Sequence, residues 1–223
     1  EDNFWQMGDT GPCGPCTEIF FDRGIKYGDL DTDVIKNDIE NERYIEIWNI
    51  VFSQFNSKPG LKRKDYPELP SKNIDTGMGL ERMACVIQGV ETNYEIDTFQ
   101  TIIKDIEKVA LVKYNGQMSY KVVADHLRTV TFSVTDGAVL SNEGRGYVLR
   151  RLLRRAIKHG KTLGINEPFL YKLVDSVIDA MGEFYTYLGE HKELVKKVIR
   201  IEEEKFFETL DKGEKILEEM LSK

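Results

Sequence analysis

Residues 43–55, RYIEIWNIVFSQF, limit most what this chain can fold into. β-Branched and aromatic side chains crowd the run, and neither glycine nor proline interrupts it, so it reads as a long strand. A period of two puts Tyr44, Glu46, Trp48, Ile50 and Phe52 on one face, and Ile45, Ile47, Asn49, Val51 and Ser53 on the other. Before it, residues 17–22 (TEIFFD) form a short β-prone run behind a Gly/Pro-rich turn. After it, residues 57–71 carry Pro59, Gly60, Pro67 and Pro70 among charges and read as a connecting loop. Residues 73–88, NIDTGMGLERMACVIQ, then run extended to Asp75 and turn through Gly77 and Gly79. They finish as a helix with Leu80, Met83, Ala84 and Ile87 on one face. Extended segments that feed a helix predict an antiparallel sheet with helices packed on it, the α+β arrangement.

From about Glu95 the period becomes helical. Residues 97–113 repeat Phe99, Ile102, Ile103, Ile106 and Ala110; residues 119–134 repeat Val122, Val123, Leu127, Val130 and Thr131. Residues 146–163, 168–181 and 192–221 complete an all-helical series, with Gly164, Gly182 and Gly189 as helix ends. The last helix is dense in Glu and Lys, with weaker apolar spacing through Val195, Val198, Ile199, Phe206, Leu210 and Leu217. The change of period divides the chain into residues 1–92 and 93–223. A length of 223 residues accommodates two such domains.

Composition narrows the partners. The net charge of −7 argues against a uniformly basic surface, so a nucleic-acid partner requires a local basic face. No apolar run approaches a membrane span, and EDNFWQMG has no basic region followed by a hydrophobic one, so neither a transmembrane helix nor a signal peptide is expected. Cys13, Cys16 and Cys85 are an odd count that does not suit a secreted disulfide framework, and a reducing cytoplasm is the natural location.

Several clusters can carry chemistry. The strand-to-helix passage through Gly77 and Gly79 lets a flat or anionic ligand approach the backbone. Arg82 there can stack on a ring or clamp a phosphate, and Asp75 suits an ammonium. The plain alternative is an ordinary β-to-α connection with a solvated Glu81–Arg82 pair. Glu46 and Asn49 are costly to bury without partners, yet strand geometry points them to opposite faces unless the strand twists or bulges. GPCGPC at residues 11–16 has the spacing of half a zinc site or of a redox pair, though a redox pair should open a helix. The other candidates, Cys85, His126, His159 and His191, are scattered singly, and Pro12 and Pro15 enforce a turn, so a rigid turn lining a pocket is expected and zinc is not.

Arg145, Arg150, Arg151, Arg154, Arg155, Lys158 and Lys161 form the densest basic patch. Arg151, Arg154, Arg155 and Lys158 share one side of a helix, while Val148, Leu149, Leu152, Leu153, Ala156 and Ile157 supply its buried part. The scarcity of acids between Arg145 and Lys161 favours a polyanion over a merely solvated face. The loop before it, LSNEGRG, offers Asn142 to a base edge. Asp125 and Arg128 are spaced for a structural ion pair, and His126 beside them makes no catalytic triad.

FWQMGDTGPCGPCTEIFFD, EIWNIVFSQFN, IDTGMGLERMACVIQG, ADHLRTVTF and SNEGRGYVLRRLLRRAIKHG together resemble, in order and spacing, the alanyl-tRNA synthetases. GMGLER, residues 77–82, is similar to motif 3 of the class II synthetases, whose catalytic domain is an antiparallel sheet. The resemblance implies that residues 1–92 are the C-terminal part of that domain and residues 93–223 a helical tRNA-recognition domain. It implies catalytic roles for Arg82 and Glu46: Arg82 on ATP, with Gly77 and Gly79 giving the nucleotide room, and Glu46 on ATP-bound Mg2+. Trp5, Asn49, Val51, Asp75 and Gly77 would line an alanine pocket, with Asp75 on the ammonium. Asn142, with the basic helix, would read the acceptor stem of tRNA(Ala) near its G·U wobble pair. Motifs 1 and 2, an acidic partner of Asn142, and the editing and oligomerisation domains find no match in these residues. The resemblance therefore implies an internal fragment with weak or no activation alone, and a non-catalytic acceptor-stem binding module is the rival reading.

Overall fold

A computed structural model describes residues 3–222, and the chain divides into two compact units, Glu1–Asn93 and Tyr94–Lys223. Among the described residues, the first unit is an antiparallel sheet in the order β1 (Phe4–Gln6), β2 (Gly11–Asp22), β3 (Tyr44–Ser57) and β4 (Glu68–Met78). A short helix, α1 (Asp33–Lys36), lies between β2 and β3, and α2 (Leu80–Gln88) follows β4. The expected strand at residues 43–55 is β3, which pairs with β2 on one side and β4 on the other. The α+β class is borne out.

Three local expectations are corrected. GPCGPC is not a turn but the first half of β2. Proline's fixed φ suits extended backbone, and the ladder shifts register between Cys13 and Cys16, where Gly14 and Pro15 fall. A Cβ on Gly14 would stand 1.7 Å from the Phe52 carbonyl oxygen, so β3 crosses too close for any side chain there. Next, β4 begins inside the supposed loop, at Glu68, and continues past Asp75 through Gly77 to Met78. It is an edge strand, where the missing N–H of Pro70 is tolerated. Finally, the expected apolar face of α2 is not its buried face: Cys85 is buried, while Leu80 and Ile87 are 64% and 76% exposed. The helix is oriented by polar anchors at its start, Gly79 N–H to Ile47 O (3.1 Å) and Arg82 Nη1 to Glu46 O (2.6 Å).

The second unit contains α3 (Asp97–Val109), α4 (Met118–Thr135), α5 (Gly144–Thr162), α6 (Val174–Met181), α7 (Tyr187–Glu190) and α8 (Lys192–Leu221). The predicted faces of α3 and α4 form its core, with Phe99, Ile102, Ile103, Ile106, Val123, Leu127 and Val130 buried. On α5 the core residues are Leu153, Ala156 and Ile157, whereas Val148 is exposed, contrary to expectation. Gly160 completes that face: a Cβ there would lie 2.3 Å from Cζ of the buried Phe169 ring. α3 stops four residues early because Ala110 turns extended and Leu111 N–H bonds Leu163 O at 3.1 Å.

The segment predicted as one helix over residues 168–181 instead opens as a 3₁₀ turn, Leu170–Leu173, before α6. The reason is Glu203 of α8, fully buried, whose Oε1 accepts from Phe169 N–H (3.0 Å) and Leu170 N–H (2.8 Å) and whose Oε2 accepts from Tyr171 N–H (3.0 Å). One carboxylate thus satisfies three orphan amides at the start of the turn. Burial raises its pKa from 4.5 to about 7, against the pull of those three donors. The folded chain then holds this proton more tightly than the unfolded chain, so stability should fall as pH rises from about 4.5 to about 7. Glu203→Gln should flatten that part of a Tm-against-pH curve measured by circular dichroism; an unchanged slope would assign it to other groups.

Candidate functional site

The first unit gathers its polar residues through strand register. Asn49 pairs with Gly77 and Val51 with Asp75 across β3 and β4. Opposed residues share a face, as do residues two apart, so Asn49, Val51, Asp75 and Gly77 form one patch. On the other side of β3, Glu18 pairs with Asn49 and Cys16 with Val51. Trp5 lies on β1 opposite Gly14, two strands from Val51.

The apparent conflict between Glu46 and Asn49 is resolved by a bulge. Glu18 pairs with Asn49 and Phe20 with Glu46, so β3 spends one residue more than β2 over this interval. That extra residue restores Glu46 to the face of Asn49. The electrostatics agree: burial, then the nearby Glu46 and Asp38 charges, push the Glu18 carboxyl above its ordinary value, while a hydrogen bond from Asn49 Nδ2 (3.0 Å) opposes the rise. Arg82 stands at the same end, its Nη1 donating to Glu46 O at 2.6 Å and lying 3.8 Å from Glu46 Oε2.

The two glycines differ in purpose. Gly77 has no atom within 4 Å of where its Cβ would be, so its absent side chain leaves open space over the patch. At Gly79 a Cβ would press on Arg82, with Cδ at 3.2 Å, so this glycine lets the arginine fold back across the helix start. The patch thus combines the Glu18, Glu46 and Asp75 carboxylates, the Asn49 amide and the Arg82 guanidinium. That set suits an ammonium at Asp75 and an anion with its counter-cation beside Arg82 and Glu46. Burial pushes the Cys13 and Cys16 thiols above their ordinary value. Among the described residues no group of three or more His, Cys, Asp or Glu could hold a metal ion.

The second unit carries the basic helix α5. Arg150 Nε and Arg154 Nε each donate to Glu202 Oε1 at 2.7 Å, and Arg154 lies over the Phe206 ring, 4.9 Å from its centroid. Arg150 also donates to Asn142 Oδ1. Asn142, Tyr147, Arg150, Arg151 and Arg154 line an open cavity of about 190 Å³. The expected row of Arg151, Arg154, Arg155 and Lys158 is therefore divided. Arg154 is drawn to α8 with Arg150, whereas Arg145, Arg151, Arg155 and Lys158 remain exposed. Lys161 pairs with Glu214 at 2.5 Å. Asp125 bonds His126 Nδ1 at 2.9 Å, and Arg128 lies over the Phe99 ring.

The model of the family described as "tRNA synthetases class II (A)" matches residues 1–223. The chain belongs to the class II tRNA synthetases. It is 59% identical over 217 residues to an alanine–tRNA ligase of Acholeplasma laidlawii, covering 97% of this chain and 25% of that protein. It is also 54% identical to the alanine–tRNA ligase of Streptococcus mutans, across 100% of this chain and 26% of the relative. The ligase of Aster yellows witches'-broom phytoplasma is 54% identical over 96% of this chain and 25% of its own length. The chain thus spans about a quarter of the length of these relatives.

Within this class II synthetase domain, sequence reasoning missed Glu18 and Glu202. Glu18 sits in a strand whose alternation marks no face as polar, and only the pairing with Asn49 reveals it. Glu202 had a signal, since it continues the buried stripe of Val195 and Ile199 at helical spacing and an acid there requires a partner. The two glycine environments predict opposite outcomes for one methyl group. Gly14→Ala should lower Tm sharply or prevent folding, whereas Gly77→Ala should fold with a near-native Tm and weaken ligand binding at the patch. Thermal melts of the two variants, read side by side, test this; equal melts would contradict the strand crossing.

Proposed function

We propose that this chain is part of an alanine–tRNA ligase, an enzyme that activates L-alanine with ATP and transfers it to the 3′ end of tRNA(Ala). The single observation that carries the reading is the convergence of Asn49, Val51, Asp75 and Gly77 on one face, with Arg82 and Glu46 at its end. Residues 1–92 would be the C-terminal part of the catalytic domain, and residues 93–223 the tRNA-recognition domain. Trp5, Asn49, Val51, Asp75 and Gly77 line the alanine pocket, and Asp75 anchors the ammonium. Arg82 clamps ATP over Gly77 and Gly79. Glu46 would meet the Mg2+ that accompanies ATP, an ion that would neutralise phosphate charge.

Alanine carboxylate attacks the α-phosphate to give alanyl-adenylate and pyrophosphate; a terminal ribose hydroxyl of the tRNA then attacks the alanyl carbonyl, forming the ester as the anhydride bond breaks and AMP leaves. No side-chain nucleophile is required: Asp75 fixes one substrate, Arg82 the other, and positioning with charge stabilisation does the rest. Asn142, Arg145, Arg150, Arg151, Arg154, Arg155 and Lys158 face the acceptor stem. No helix among the described residues is long and apolar enough to cross a membrane, in keeping with a cytoplasmic enzyme. A second reading, an acceptor-stem binding module without catalysis, is favoured by the arginine-lined cavity around Asn142.

Alanine-dependent ATP–pyrophosphate exchange by the full-length ligase carrying these residues decides between the two. Arg82→Ala should cut exchange on the order of a hundredfold, and Asp75→Asn should raise the KM for alanine. Full exchange with both changes would refute the pocket. For the 223-residue chain, affinity for an acceptor-stem hairpin should fall with salt, roughly 0.9 log units per decade for each phosphate neutralised. Salt-independent binding would remove the basic helix from the interface.

A further inference from the structure

Glu202 is nine-tenths buried, yet it sits between two cations one turn apart on α5. Its Oε1 takes both Arg150 Nε and Arg154 Nε at 2.7 Å. Arg150 reaches onward to Asn142 Oδ1. A carboxylate of α8 is thereby linked, through one guanidinium, to the side chain that faces the cavity of Asn142 and Tyr147.

We infer that Glu202 is a positioning residue for RNA recognition, fixing the Asn142 carboxamide through Arg150 so that its amino group points outward. The inference rests on the acceptor-stem reading for its ligand, but the geometry is independent of it. A carboxamide has two ends of nearly equal shape, one accepting and one donating, and a free one flips between them. A guanidinium has donors only, so the end of Asn142 facing Arg150 must be its oxygen. Glu202 holds that guanidinium in turn, and the Phe206 ring beneath Arg154 stiffens the other half of the pair. Asn142 is left to offer a donor. The matching partner is an acceptor, and the wide, shallow minor groove of an A-form stem displays purine N3, pyrimidine O2 and ribose 2′-hydroxyl groups. The exposed Arg145, Arg151, Arg155 and Lys158 contribute charge, which carries affinity without sequence. In this division of labour the acid on α8 sets specificity while touching no RNA.

The test uses the 223-residue chain and its E202Q, E202D and R150Q variants, with far-UV circular dichroism as the fold control. Without RNA, the Asn142 side-chain amide signals in a heteronuclear NMR spectrum should shift in E202Q and R150Q, while those of Asn166 stay in place. Unmoved Asn142 signals overturn the inference. With RNA, hairpins carrying a wobble or a Watson–Crick pair at the recognised position are compared. The wild-type preference should drop roughly tenfold in E202Q, with no loss of overall affinity, because no cation is removed. E202D should restore part of the preference, and the E202Q/R150Q double variant should lose no more than either single one. An unchanged preference in E202Q overturns the inference, because a carboxylate that merely ties α8 to α5 would not set base choice. Should E202Q fail to fold, R150Q gives the Asn142 shift and the loss of preference, with overall affinity lowered by the lost cation. Should the wild type bind neither hairpin, the acceptor-stem reading falls, and the Asn142 signals still decide the link from Glu202.

Discussion

The first unit depends on the backbone hydrogen bonding of β3. Every other strand is registered directly or indirectly against it, and the start of α2 is tied to it at Ile47 O and Glu46 O. Because a side chain's face follows from its register, one irregularity in this ladder decides which chemistry meets. The bulge near Ile47 turns Glu46 to the side of Asn49, where Arg82 can reach it. Without that extra residue the acid and the amide would lie on opposite faces, and Arg82 would lose the Glu46 carboxylate as its neighbour. The close crossing of Gly14 under Phe52 is the matching constraint at the other end of the sheet.

In the second unit the corresponding constraint is a pair of adjacent acids on α8. Glu202 and Glu203 occupy the buried stripe, where an unpaired charge would be prohibitively costly. Each is compensated differently. Glu203 receives three main-chain amides and so sets where the 3₁₀ turn begins. Glu202 receives two guanidinium groups and so sets which cations of α5 stay exposed. A helix that looks like a solvated, charge-rich tail thus organises both the packing and the electrostatics of its unit. The match to the class II tRNA synthetase family runs through both units, residues 1–223.

Much of this was legible in the sequence. The long β-branched run had to be a strand, the 3.6-residue periods had to be helices, and the change between them fell near residue 93. The core of α3 and α4 follows from spacing alone, because burying an amphipathic stripe needs no knowledge of the partner. Less legible were places where a remote group outcompeted local preference. The segment at residues 168–181 has a helical pattern, but Glu203 captures its first amides. α2 has an apolar stripe, but its orientation is set by polar anchors, which leave Leu80 and Ile87 outside.

The sequence by itself determined which elements form, because propensity and periodicity act within a few residues. It also supplied the motif residues Asn49, Asp75, Gly77, Arg82 and Asn142. Only the tertiary structure decided which of them share a face and which side chains hold them. Strand register, the bulge in β3 and the reach of α8 across α5 join residues dozens of positions apart, and no local pattern records such a pairing. Glu18 and Glu202 became visible for that reason: their partners, Asn49 and Arg150, lie 31 and 52 residues away.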